Sequence, residues 1–106
     1  MINNDSPIFS LENVLRVTSG ILVSGKPENT FYGISTDSRQ VFKGNLFIAL
    51  KGEKFDGHDF MRTALKQGAA GVLVQDEAKI NQALVDKDVS VIKVADTLLA
   101  LGYLAH

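Results

Sequence analysis

The apolar positions along the chain change their period several times, and each change marks an element. Ser10 stands before Leu11, Val14 and Leu15, which share one helical face, with Gly20 as the expected stop. Ile21 to Ser24 is short and β-rich and runs into the turn Gly25-Lys26-Pro27. Phe31 to Ser35 reads as one strand ending in the small polar residues Thr36-Asp37-Ser38-Arg39. Leu46-Phe47-Ile48-Ala49-Leu50 is apolar without interruption, the pattern of a strand buried on both faces.

A polar loop, Gly52 to His58, follows. Asp59 is then expected to cap a helix carrying Phe60, Met61, Ala64 and Leu65 and ending at Gly68. Val72 to Val74 predicts a strand, Asp76 to Val85 a short helix, and Val89 to Val94 another strand. Asp96 is placed to cap a last helix from Thr97 to the end of the chain. Strands alternating with helices in the second half require crossover connections. The expected class is therefore α/β, a small mixed and partly parallel sheet with flanking helices. No repeat, low-complexity tract or linker divides the chain, so residues 1–106 read as one domain with 1–8 as a loose tail. The last helix stays apolar at Leu98, Leu99, Leu101 and Leu104 up to His106 with no capping glycine, as in a chain that was cut or frays there.

Charge and composition narrow the function classes. Eleven basic against twelve acidic residues give a net charge of -1, too little field to draw nucleic acid or an anionic membrane. The absence of cysteine removes disulfides and thiolate metal sites. The start Met1 to Pro7 lacks the basic and apolar regions of a signal peptide, and no apolar run approaches the ~20 residues of a membrane span, so a soluble, cytoplasmic protein is expected. There is no G-x-x-x-x-G-K-[ST] loop and no G-x-G-x-x-G. His58 and His106 lack metal-pair spacing, and no catalytic triad or metal site is assigned.

Two polar segments flank the central apolar strand. Thr36-Asp37-Ser38-Arg39 offers two hydroxyls, backbone N–H groups and a guanidinium able to fork onto an anion; the 52–58 loop follows the strand itself. Ligands of open α/β sheets gather beyond the carboxyl ends of strands, so a small-anion or nucleotide site fits, with Ser38 and Arg39 on phosphates. A plainer reading stands beside it. Asp37-Ser38 also makes a side-chain-stabilised turn, Arg39 is equally suited to pair with Asp37 or Asp56, Gly52 and Gly57 supply backbone freedom, and His58 makes a loop-to-helix contact.

Three segments together carry a family resemblance: Thr36 to Arg39; Gly44 through Lys51-Gly52-Glu53-Lys54-Phe55-Asp56-Gly57-His58-Asp59-Phe60; and Gly68 to Val74. They resemble the N-terminal domain of the Mur ligases, and Val94 to Leu101 continues the likeness, which covers about residues 9–106. Asn45 stands where an aspartate is commoner. The wording Lys-Gly-Glu-x-Phe-Asp-x-His-Asp-Phe is most similar to the member that adds D-alanyl-D-alanine to UDP-N-acetylmuramoyl-tripeptide. The sister that adds the third amino acid is the nearest alternative.

The resemblance implies a multidomain, ATP- and magnesium-dependent, amide-forming enzyme of peptidoglycan synthesis. Such an enzyme activates a carboxylate as an acyl phosphate, which an amine attacks with release of ADP and phosphate. It further implies that this domain holds the UDP part of the substrate and that the central and C-terminal domains act in cis. By position, Thr36, Ser38 and Arg39 then meet the nucleotide. Gly52, Glu53, Lys54 and Phe55 line the uracil, while Asp37, Asp56, Gly57 and His58 shape the loops. The absent phosphate loop makes the chain by itself an inactive, excised substrate-binding domain with no cofactor of its own. The alternative from another class is a stand-alone interaction domain on the same fold.

Overall fold

The computed structural model describes residues 8–80 and 88–105. Its strands are β1 (Ile8–Ser10), β2 (Ile21–Ser24), β3 (Thr30–Tyr32), β4 (Ile34–Ser35), β5 (Leu46–Ile48), β6 (Gly71–Val74) and β7 (Ser90–Lys93). Its helices are α1 (Leu11–Thr18), α2 (Met61–Lys66) and α3 (Thr97–Leu104), with 3₁₀ turns at Gly57–Phe60 and Glu77–Lys79. The main sheet has the order β2-β7-β6-β5-β4, parallel from β4 to β7, with β2 antiparallel at the far edge. A small antiparallel pair, β1 with β3, stands apart from it. This is the expected mixed α/β sheet.

The apolar run of the central strands sorts into two cores because side chains alternate across a sheet. Leu46, Ile48, Leu73 and Ile92 pack on Leu11 and Val14 of α1 and on Ala100 and Leu104 of α3. Phe47, Ala49, Val72, Val74 and Val91 pack on Met61 and Ala64 of α2. The sheet is therefore covered on both faces, and what remains open is its rims.

Caps fix two of the helices as the sequence requires. Ser10 Oγ accepts the Asn13 N–H at 3.1 Å, and Asp96 Oδ1 accepts the Leu99 N–H at 3.0 Å. The stop of α1 is not Gly20 but Ser19, which takes the left-handed conformation at φ 58°. Gly20 matters for another reason: a Cβ there would lie 2.8 Å from Ile92 Cγ2, so its bareness lets the chain press onto β7.

Other expectations are corrected. Phe31 to Ser35 is not one strand, because Gly33 at φ 79° turns the chain from the β1–β3 pair into the main sheet. Ile8 is not part of a loose tail; it pairs with Tyr32. Asp59 does not cap the α2 segment. Asp56 accepts the His58 N–H and opens the 3₁₀ turn, and α2 starts at Met61 without a side-chain cap. The expected helix from Asp76 is a single 3₁₀ turn, ending where Ile80 becomes extended; the remainder of that prediction, to Val85, lies outside the described residues. In α3, Leu104 is buried and Leu101 packs on the core, whereas Leu98 and Leu99 are exposed.

Asn45, the departure from the family wording, is buried and uses both ends of its amide. Its Nδ2 donates to Tyr32 O at 2.7 Å, and its Oδ1 accepts the Phe42 N–H at 2.8 Å. An ionised aspartate has no proton for the first of these bonds.

Candidate functional site

Parallel pairing brings the two polar segments to one rim. Ser35 of β4 lies opposite Phe47 of β5, so residues 36–39 and the 49–58 segment leave neighbouring strands at the same carboxyl edge, about 5 Å apart where they start. The carboxyl ends of β6 and β7 add Gln75, Asp76 and Asp96-Thr97 to this rim. It is the side of an open α/β sheet on which ligands bind.

The 36–39 turn is held from inside and from itself. Ser35 Oγ accepts the Asp37 N–H at 3.2 Å and lies 2.9 Å from Asp37 O and 3.2 Å from Gln40 O. Asp37 Oδ1 accepts the Arg39 N–H at 2.9 Å, and the guanidinium forks onto the same carboxylate, with Nε and Nη2 each at 3.1 Å. Arg39 therefore pairs with Asp37 and not with Asp56, and two of the amides expected to face an anion, those of Asp37 and Arg39, are already used. Its hydrogen bonds hold the Asp37 carboxyl below its ordinary pKa and raise that of Arg39 in turn. The hydroxyls of Thr36 and Ser38 make no hydrogen bond within the described residues, although Ser38 as a whole is buried.

The loop after β5 is built differently. Lys51 and Asp56 form an antiparallel bridge, and Gly52 N–H donates to Phe55 O at 2.6 Å, which closes Gly52-Glu53-Lys54-Phe55 into a tight bend. Gly57 N–H donates to Leu50 O at 2.7 Å; a Cβ on Gly57 would fall 2.8 Å from Leu50 N and 2.9 Å from Leu50 O. The Phe55 ring is half exposed and stacks on Phe60, centroids 5.2 Å apart and 10° from parallel, so it offers a flat apolar surface at the bend.

Behind the bend stands His58, whose side chain is fully buried. Its Nδ1 is 2.6 Å from Asp56 Oδ1, and its Nε2 faces two backbone donors, Gln75 N–H at 3.0 Å and Asp76 N–H at 3.2 Å. Burial pushes the Asp56 carboxyl up, but its hydrogen bonds with His58 outweigh this and leave its pKa lowered. Gln75 Oε1 accepts the Thr97 N–H at 2.8 Å, and Thr97 Oγ1 donates to Ala49 O at 2.7 Å. The loops after β5, β6 and β7 thus share one network. Gln75, Thr97 and the backing ring Phe60 are missed by sequence reasoning. The available signal was position, since Gln75 directly follows a buried strand and Thr97 a helix cap.

A cleft of about 440 Å³ opens at α2 and the 77–79 turn, with Asp59, Arg62, Thr63, Ala78 and Lys79 among its lining. Thr36, Ser38 and Phe55 do not line it, and the Lys79–Asp59 ion pair, at 3.0 Å, lies in it. We place the candidate site at the rim, where the 36–39 turn and the loop that carries Phe55 leave neighbouring strands, rather than in this cleft. Among the described residues no three acidic or histidine side chains group as a metal site, and no helix is long and apolar enough to cross a membrane.

Residues 30–106 match the family model described as "Mur ligase family, catalytic domain". The UDP-N-acetylmuramoyl-L-alanyl-D-glutamate–2,6-diaminopimelate ligase of Geobacter sulfurreducens is 39% identical over 95 residues, which cover 90% of this chain and 18% of that protein. The UDP-N-acetylmuramoyl-tripeptide–D-alanyl-D-alanine ligase of Bacillus subtilis is 39% identical over 97 residues, 91% of this chain and 20% of that protein. Among solved structures, MurF from Acinetobacter baumannii superposes with a TM-score of 0.77 at 31% identity, over 93% of this chain and 20% of that one. The chain spans about a fifth of the length of these relatives.

Proposed function

The chain belongs to the Mur ligase family, and from that premise we propose that it is the N-terminal, UDP-holding domain of a ligase that adds D-alanyl-D-alanine to UDP-N-acetylmuramoyl-tripeptide. The observation that carries this reading is the shared rim: two loops from adjacent parallel strands, one with uncommitted hydroxyls and one with a flat exposed ring. In this reading Thr36 and Ser38 donate to the diphosphate, and Arg39 lends positive potential while remaining on Asp37. The uracil lies on Phe55, with the Gly52-Glu53-Lys54 backbone as its hydrogen-bonding edge. Asp37, Asp56, Gly57 and His58 hold the two loops in shape.

The residues present do not fit ATP or magnesium, because no glycine-lysine phosphate loop occurs in the sequence. Binding of ATP and formation of the amide bond belong to other domains of the ligase, acting in cis. The role of this chain is to hold and orient the nucleotide end of the substrate. Relatives named for the addition of 2,6-diaminopimelate match equally well, which favours a second reading: the same domain serving that sister ligase.

UDP titrated to several millimolar into the ¹⁵N-labelled chain is expected to shift the amides of residues 36–39 and 52–58 and to leave Arg62, Thr63, Ala78 and Lys79 of the α2 cleft unmoved. No shift at either loop would overturn the uridine reading. Offering D-alanyl-D-alanine and diaminopimelate to the full-length ligase separates the two sister activities.

A further inference from the structure

The buried ring of His58 has only one protonation pattern that suits its surroundings. Two N–H groups, of Gln75 and Asp76, point at Nε2, so that nitrogen must carry a lone pair and the ring proton must sit on Nδ1. The Nδ1–H then donates to Asp56 Oδ1, which also accepts the His58 backbone N–H at 3.0 Å. A proton on Nε2 would confront two donors with a third. The neutral imidazole is therefore a directional rivet: one end donates to the loop after β5, and the other accepts from the backbone after β6.

What the rivet holds is the bend that carries Phe55. Asp56 directly follows that bend and is the bridge partner of Lys51, which precedes it, so its position fixes both ends of Gly52 to Phe55. Resting on the uridine reading given above, we propose that His58 is a positioning residue for the nucleotide site, which in its Nδ1–H tautomer sets the 52–56 bend against the 75–76 backbone. Gln75 extends the same restraint to the start of α3 through Thr97, so three strand ends are locked around the rim. No contact of His58 with ligand is required. Its side chain is fully buried, and its effect passes through Asp56.

The test needs no variant at its first step. In the ¹⁵N-labelled wild-type chain, ring-nitrogen NMR is expected to show a protonated Nδ1 and an unprotonated Nε2 at His58. The opposite tautomer, or a fully protonated ring at neutral pH, would overturn the inference. The second step compares substitutions. His58→Gln keeps an acceptor reaching toward 75–76, whereas His58→Asn and His58→Ala do not. Amide exchange at Gly52 and Gly57, measured relative to Ile48 and Leu73 in the sheet, is expected to rise about tenfold in the Ala and Asn variants and to stay near wild type in the Gln variant. UDP affinity should fall in the same order. Equal exchange in all three variants, or none changed, would reduce His58 to packing and overturn the proposal. A wild-type chain that does not bind UDP would instead sink the uridine reading, while the tautomer and exchange results still decide the role of His58.

Discussion

The two loops of the rim are neighbours in space but opposites in construction. The 36–39 turn is closed by partners within five residues of one another: Ser35, Asp37, Arg39 and Gln40. The 51–58 loop has local closures too, Gly52 to Phe55 and Gly57 to Leu50, but it is also tied to partners 17 and 18 residues away, and the network continues to Thr97, 48 residues from Ala49. A locally closed turn survives exposure because it needs little from the fold. A loop closed through buried long-range bonds has one conformation only while the sheet beneath it is intact. Rigidity at the 52–56 bend and unpaired hydroxyls at the 36–39 turn follow from that division, which suits the proposed uracil and phosphate ends of the site.

The sharpest way to break the contrast is at Gly57. A side chain there runs into Leu50 backbone atoms at 2.8 and 2.9 Å, which cannot swing aside. Gly57→Val is expected to cost about 3 kcal/mol, at the upper end of overpacking effects. Gly52 is the control: its nearest neighbour to an added Cβ is Phe55 O at 3.6 Å, so Gly52→Ala should cost about 0.5 kcal/mol or less. Urea unfolding with unchanged slope measures both. Similar midpoints for the two variants would show that the loop yields, and the claim of a rigid bend would fail.

A second, smaller effect belongs to Thr97. Replacing it with Val keeps the shape but removes the hydroxyl from Ala49 O, which lies at a buried strand end. The loss is expected to be about 2 kcal/mol, the cost of leaving a buried acceptor short of a partner. Faster amide exchange should then appear at the loops after β5 and β7, with residues 36–39 unchanged. Exchange rising equally at 36–39 would erase the distinction between the loops.

The same division explains what could be read in the sequence. β5 and β6 are legible because burial on both faces writes an apolar run, β7 because Val89 to Val94 alternates, and the Ser10 and Asp96 caps because a cap is a local bond. The break at Gly33 carried a signal in the glycine itself, but three apolar or β-prone residues on its N-terminal side made one strand the simpler reading. Asp56 and Asp59 look alike as caps. The choice between them is made by His58 reaching to residues 75–76, which no local pattern records. β1 was hidden for a related reason: a three-residue strand exists only through its partner, 20 to 24 positions away. Of the rim, the 36–39 turn and the 52–58 loop could be picked out as polar interruptions of an apolar pattern. Gln75 and Thr97 could not, because their roles are assigned by strand order.

The smallest expected effect completes the contrast. Arg39 is exposed, and its fork onto Asp37 joins two solvated groups, so Arg39→Ala should leave the urea midpoint where it was. The local electrostatics must change nonetheless. Arg39 hydrogen bonds hold the Asp37 carboxyl below its ordinary value, and removing them should let its NMR-detected titration move upward toward that value. A carboxyl with a lowered folded pKa contributes its stability above the unfolded value, near 3.9, and loses it as pH falls through the folded one. The wild-type turn should therefore be favoured over the variant turn at neutral pH, by a local margin too small to move the urea midpoint, and that margin should vanish as pH falls through the folded Asp37 value. A loss of global stability on Arg39→Ala at pH 7 would mean that the turn is tied into the fold as tightly as its neighbour, and that the two halves of the rim are not built on different principles.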